Sequence, residues 1–386
     1  MSLHTLATLC LGLALSCWAQ AEGLLAIDNP ANNSQSAGAY VTAQAFAGND
    51  QVAISQYGAN WQGDYSPRSG TNLGLLVARA EAGVQWQGYR LGALYRADAL
   101  LETNRDSSDL ARQYLNSAGY DTGRNYQLAY QLKGFDAKGL RLSKSFQQAL
   151  HSGPWQIDLG LGLAYLQGQS VKLQTASGQV MTVNAKDVTA NANLSTADSR
   201  TNVADALNFN APYGRLLTPS GEGYAVDVGL VLRHASGLGL EVAVADAAGV
   251  MNWKDLPTNA ETYNTANKYF DANGFAQFNP TATRTSSYQN LKQTLDPKLW
   301  LAANYPLGDF RVQGAASAIS GYWFPELSVK YLINPAWQLA AQYDTYFNTL
   351  GLAVQHPWFT LGLRTDNLNL DKAKAYGLSA GVLIPF

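Results

Sequence analysis

The chain has 386 residues, 14% of them charged and 47% hydrophobic, with 35 glycines, 21 tyrosines and 9 tryptophans. Few charges beside many aromatics exclude a disordered chain, and a net charge of −2 gives no electrostatic reason to expect a nucleic-acid partner. Both cysteines, Cys10 and Cys17, fall in the first segment, so the rest of the chain supports neither a disulfide framework nor thiol chemistry.

Residues 1–21 carry an apolar run over 6–18 and then AQA before Glu22, the pattern of a secretory signal cleaved after Ala21. Residues 22–36 are expected as a periplasmic N-terminal segment. Beyond them no stretch reaches about 18 uninterrupted apolar residues, so a transmembrane helix is not expected. Instead, short segments alternate apolar and polar residues and are separated by Gly, Asn, Pro and Asp clusters. In LVARAEAGVQW, Leu76, Ala78, Ala80, Ala82, Val84 and Trp86 share one face, while Arg79, Glu81 and Gln85 share the other. After Gln87-Gly88, Tyr89, Leu91, Ala93, Tyr95 and Ala97 repeat the pattern, with Arg90, Arg96 and Asp98 opposite.

Taken along the chain, the pattern predicts about 16 strands, within a range of about 14–16. They start near residues 37, 74, 89, 125, 139, 154, 169, 223, 238, 297, 310, 325, 337, 349, 357 and 375. The links then alternate in length. Gln87-Gly88, 136–139, Gln167-Gly168, 234–237, 306–309, 334–336 and His356-Pro357 are short; 48–73, 102–124, 183–222 and 249–296 are long. Residues 107–119, with Ser108 as N-cap and Gly119 as stop, read as a short helix, as do 199–207 and 257–274.

Backbone groups left unpaired in hydrocarbon cost several kcal/mol, so strands can span a membrane only as a closed barrel. The expected fold is therefore all-β: a transmembrane antiparallel up-and-down β-barrel over residues 37–386, with short periplasmic turns and long extracellular loops bearing short helices. Trp86, Tyr89, Tyr165, Trp337 and Phe386 map to the periplasmic girdle, and Tyr126, Trp155, Tyr224, Tyr343 and Tyr376 to the outer one. Lys144, between Leu142 and Phe146 on an outward face, would cost about 2–4 kcal/mol at mid-bilayer and predicts a bulge or a shifted boundary there.

The chain ends in SAGVLIPF, with Ser379, Gly381, Ile384 and a terminal Phe386. This resembles the C-terminal assembly signal of Gram-negative outer-membrane β-barrel proteins, and the strand pattern resembles that superfamily over nearly all of the chain after the signal. The resemblance implies an outer-membrane location after export, outer-membrane lipid as surroundings, and the barrel-assembly machinery as a partner that reads Ser379, Gly381, Ile384 and Phe386. Pro385 departs from the pattern by removing one ladder donor at the strand's extremity. Residues 28–32, DNPAN, resemble the Asn-Pro-Ala motif near the start of long-chain fatty-acid channels; the triplet recurs at 334–336 in an expected turn.

Alternation turns Arg79, Glu81, Arg90, Arg96, Asp98, Lys133, Asp158, Asp227, Arg233, Glu241, Arg311, Glu326, Lys330 and Arg364 toward the lumen. Such charges need water or partners. Either they line a path for small solutes, as in a porin, or they pair across the lumen as structural bridges. A non-conducting barrel acting in adhesion, scaffolding or secretion, and uptake of hydrophobic solutes past a small plug at 24–36, are the alternatives. His151, His234 and His356 lie in expected turns, and no HExxH, P-loop or dinucleotide motif occurs, so neither an enzyme nor a metal or other cofactor is expected. The sequence leaves the oligomeric state open.

Overall fold

A computed structural model describes residues 23–57, 59–117, 119–201, 217–265, 268–270, 272–278 and 281–386. The expected signal segment 1–21 and most of the expected helix 199–207 lie outside these residues. In chain order the strands are β1 (Gly38–Asn49), β2 (Thr71–Trp86), β3 (Tyr89–Asn104), β4 (Asn125–Ser152), β5 (Trp155–Thr182) and β6 (Val188–Asp198). Next come β7 (Ser220–His234), β8 (Gly239–Asn264), β9 (Lys268–Phe270), β10 (Ala276–Phe278), β11 (Ala282–Thr294) and β12 (Lys298–Leu307). The last six are β13 (Phe310–Ile319), β14 (Tyr322–Asn334), β15 (Trp337–Asp344), β16 (Leu350–His356), β17 (Phe359–Thr365) and β18 (Ala375–Pro385). One helix, α1 (Arg105–Asn116), follows β3.

Fourteen strands close into an antiparallel barrel: β1 to β5, β7, β8 and β12 to β18. The last strand returns to the first in register from Gly38↔Pro385 to Gly48↔Ala375, so the wall has no edge at the seam. Outward side chains such as Leu91, Leu140, Leu161, Leu163, Leu352 and Leu363 are 43–66% exposed and form the apolar belt of a membrane-spanning wall. The protein is a β-barrel of the outer-membrane type.

Two expected turns are not turns. β4 and β5 run 28 residues each, far beyond the ~9–11 needed to span a bilayer. Residues 136–139 and 167–168 face each other inside this hairpin (Ala137↔Gly168, Lys138↔Gln167), with a bulge between Asp136 and Ala137. Glycine and aspartate there mark an irregular ladder rather than a reversal. Each false break reversed the chain's expected direction, so two girdle assignments are exchanged. Trp155 lies at the short-turn end with its ring 4.7 Å from His234, and Tyr165 lies further up, paired with Tyr224. Tyr126 is wholly buried rather than in a girdle.

The surplus length rises past the belt. There β6 pairs with β5 and β8, while β11 pairs with the upper part of β8, continuing the lines of β7 and β12. Phe135, Leu166, Val171, Met251, Trp253 and Leu256 pack inside this tall wall. Residues 257–264, expected as helix, are the top of β8, because two flanking strands offer the ladder that local propensity did not foresee. α1 forms as expected, but its N-cap is Asn104, whose side chain accepts from Ser107 N at 2.9 Å. Lys144 sits opposite Tyr89 at the periplasmic end, donates to Gln87 O and lies 4.0 Å over the Tyr89 ring. The mid-bilayer cost therefore never arises.

Candidate functional site

Residues 23–34 are buried throughout, and they lie inside the barrel rather than in the periplasm. Entry is through the periplasmic end: Gly88 N donates to Ser34 O and Gln87 N to Gln35 O, both at 3.0 Å. Asn33 Nδ2 donates to Ser143 Oγ at 2.9 Å and to Gly88 O at 3.2 Å, and Ser145 Oγ donates to Ala31 O at 2.8 Å. A single 3₁₀ turn at Pro30–Asn32, begun by the Asn29 side chain accepting from Ala31 N, lets the segment fold back within the lumen. Leu24, Leu25 and Ile27 then pack among Phe46, Leu73, Leu75, Trp300, Phe324 and Phe347. Barrel interiors are ordinarily polar. Here the upper inner face is apolar because it covers the plug's own leucines and isoleucine.

Below that apolar plate is a network of charges. Asp28 meets Arg141 Nη1 at 2.5 Å, Arg90 Nη1 at 3.2 Å and Arg79 Nη2 at 3.9 Å. Glu81 accepts from Arg79 at 2.8 Å and from the Tyr40 hydroxyl, while Arg141 Nε donates to Asp227 at 3.0 Å. Next to it, Arg96 joins Asp98 and Asp246, and Lys298 Nζ lies 2.6 Å from Asp98. Removing one partner from a buried pair costs ~3–5 kcal/mol, so these contacts stiffen wall and plug together.

The fourteen expected lumen residues fall into separate groups. Arg79 and Arg90 meet Asp28, Glu81 joins them through the same arginines, and Asp227 is linked through Arg141; Arg96 and Asp98 form the neighbouring group. Lys133 reaches Asp296 at 3.2 Å, and Arg364 bridges Glu326 at 2.7 Å and Gln342 at 2.6 Å. Near the periplasmic mouth Arg233 pairs with Asp158, Glu241 accepts from Asn32 at 3.0 Å, and Arg311 faces Lys330 across β13 and β14. The sequence reading missed Asp28, Arg141, Asp246 and Lys298. Alternation around outward Leu140 and Leu142 would have found Arg141; Asp28 lies before any periodic segment, and Asp246 sits at an irregular point with φ 57°.

A cavity of about 70 Å³ adjoins the plug at the wall made by β15 to β18 and β1, lined by apolar as well as polar residues. At ~10–15 Å³ each it has room for roughly five waters. Thr42, Gln44, Gln342, Gln355, Thr360 and Ser379 line it opposite Asp28, Arg79 and Arg90, with Gly362 and Gly377 thinning the wall. The turn histidine His234 contacts Ser236 Oγ at 2.8 Å and accepts from Ser236 N at 3.1 Å, a local turn closure.

The sequence matches the model of a family of unknown function (DUF5723) over residues 68–355. No curated protein matches it. Among solved structures, the toluene transporter TodX of P. putida is similar at 9% identity and a TM-score of 0.39, over 92% of this chain and 91% of that one. The CymD monoaromatic hydrocarbon channel is similar at 11% identity and a TM-score of 0.29, over 93% and 91%. A Pseudomonas aeruginosa FadL homologue is similar at 10% identity and a TM-score of 0.24, over 96% and 97%. Likeness of this degree does not carry a site from one chain to another.

Proposed function

The chain belongs to the DUF5723 family, whose function is unknown, and we propose that it is an outer-membrane channel for small solutes, closed at rest by its own N-terminal segment. The observation that carries this reading is the buried course of residues 23–34 beside a cavity onto which Gln44, Gln342, Gln355, Thr42, Thr360 and Ser379 open. Export by segment 1–21, insertion into the outer membrane of a Gram-negative cell, and assembly through Ser379, Gly381, Ile384 and Phe386 belong to the same reading.

The test is planar-bilayer conductance of the full chain and of a variant lacking residues 23–34, with mass analysis checking that both begin at the same processed position. The intact barrel should pass little current and the deleted one should give stable steps. A well-folded deleted barrel without current would overturn the channel. The apolar cluster around Leu24 and Leu25 favours a second reading, uptake of hydrophobic solutes. It predicts that the deleted barrel binds an alkyl-chain fluorescent probe that the intact one excludes.

A further inference from the structure

We propose that Arg79, Arg90 and Arg141 form an anion site that Asp28 fills in the closed barrel, and that the solute passed is a small organic monoanion, a carboxylate, which displaces Asp28 from the neighbouring cavity. This rests on the gated-channel reading above and names its solute class.

Around Asp28 the cations Arg79, Arg90 and Arg141 are matched by Asp28, Glu81 and Asp227. Two of those acids belong to the wall; Asp28 alone belongs to the plug. When the plug shifts, one positive charge is left uncompensated in a confined space, and a monoanion restores balance. A neutral solute does not, and a cation makes it worse.

Donor geometry points the same way. Arg90 Nε and Arg141 Nη2 are buried and hydrogen-bond to no protein atom, although the Arg141 side chain is only 1% exposed. The guanidinium forks thus offer more N–H groups than Asp28 and Glu81 use, as a site for an incoming carboxylate requires. Accessibility differs between the two signs. Arg79, Arg90 and Arg364 on the cavity keep 16%, 12% and 13% of their side-chain surface, while the wall acid Glu81 keeps 1% and the plug's Asp28 keeps 8%. With Asp28 displaced, the cavity presents guanidinium groups beside Thr42, Thr360 and Ser379.

The experiment uses the full chain in planar bilayers, with acetate as probe and glycerol as neutral control, beside Asp28→Asn and the 23–34 deletion. Acetate should raise the intact barrel's current where glycerol does not. Asp28→Asn should conduct without acetate, gain nothing from it, and shift its reversal potential in a KCl gradient toward chloride. The deleted barrel should share that anion preference, and Arg90→Gln placed in it should weaken the preference, with heat-modifiable migration confirming that each variant is folded. A deleted barrel that conducts without preferring anions, or an intact one that treats acetate and glycerol alike, overturns the anion site and leaves the channel standing. A folded deleted barrel that carries no current overturns the channel itself.

Discussion

Gly160 on β5 and Gly229 on β7 are cross-strand partners, and together they cut a notch in the inner wall. A Cβ on Gly160 would lie 2.1 Å from Ala31 N, and one on Gly229 would lie 1.9 Å from Asn29 Oδ1. The atoms met are largely plug backbone, which cannot swing aside. A methyl group at Gly160 suits the strand itself yet drives the 3₁₀ turn inward, at about 1–3 kcal/mol of overpacking. Gly160→Ala should therefore leave the barrel assembled while protease cuts residues 23–36 faster. Unchanged protection would mean that the notch does not seat the plug. Alternation assigns a charged strand residue to a face without tertiary information, because a strand's period is two. It could not show that Asp28 meets Arg141 across 113 positions, since the plug has no periodicity from which to read a place.

At the level of elements, β4 outgrows its neighbour: β3 pairs with it only as far as Thr103↔Tyr130. Beyond that point the first turn of α1 stands in for a strand. Asp106 Oδ2 accepts from Gln127 N at 3.0 Å, Ser107 Oγ accepts from Ala129 N at 2.9 Å, and Asn104 Nδ2 donates to Gln127 O at 2.6 Å. An open edge invites pairing with another chain, and this helix covers it. Each lost bond costs ~1 kcal/mol, so Asp106→Ala with Ser107→Ala should speed amide exchange at Gln127 and Ala129 about fivefold or more without altering barrel assembly. Exchange rates that stay put would assign the edge's protection to something other than these side chains. The helix was legible because a polar cap precedes an amphipathic run. The unbroken length of β4 and β5 was not, because a bulge and a turn recruit the same glycines and aspartates. Only the partner strand distinguishes them.

For the molecule as a whole, chain order constrains assembly. The plug directly precedes β1, and β1 is the strand that β18 must find to close the wall. Residues 23–34 can therefore be drawn into the lumen as the seam forms or pass in through the periplasmic end, where Ser34 and Gln35 meet Gly88 and Gln87; the wall itself leaves no route in from the side. At that seam Phe386 N donates to Ala37 O at 3.3 Å, while the Phe386 side chain is 79% exposed and Ile384 63% exposed on the outward face. So outward a ring makes few contacts with the rest of the protein, and one terminal hydrogen bond is worth ~1 kcal/mol. If the ring serves instead to be recognised during insertion, deleting Phe386 should sharply lower the amount of heat-modifiable barrel in the outer membrane. The melting temperature of the fraction that does assemble should stay almost unchanged. A parallel fall in yield and melting temperature would mean that Phe386 acts as an ordinary stabilising contact. The seam would then close by strand pairing alone, with no reader of its last residue.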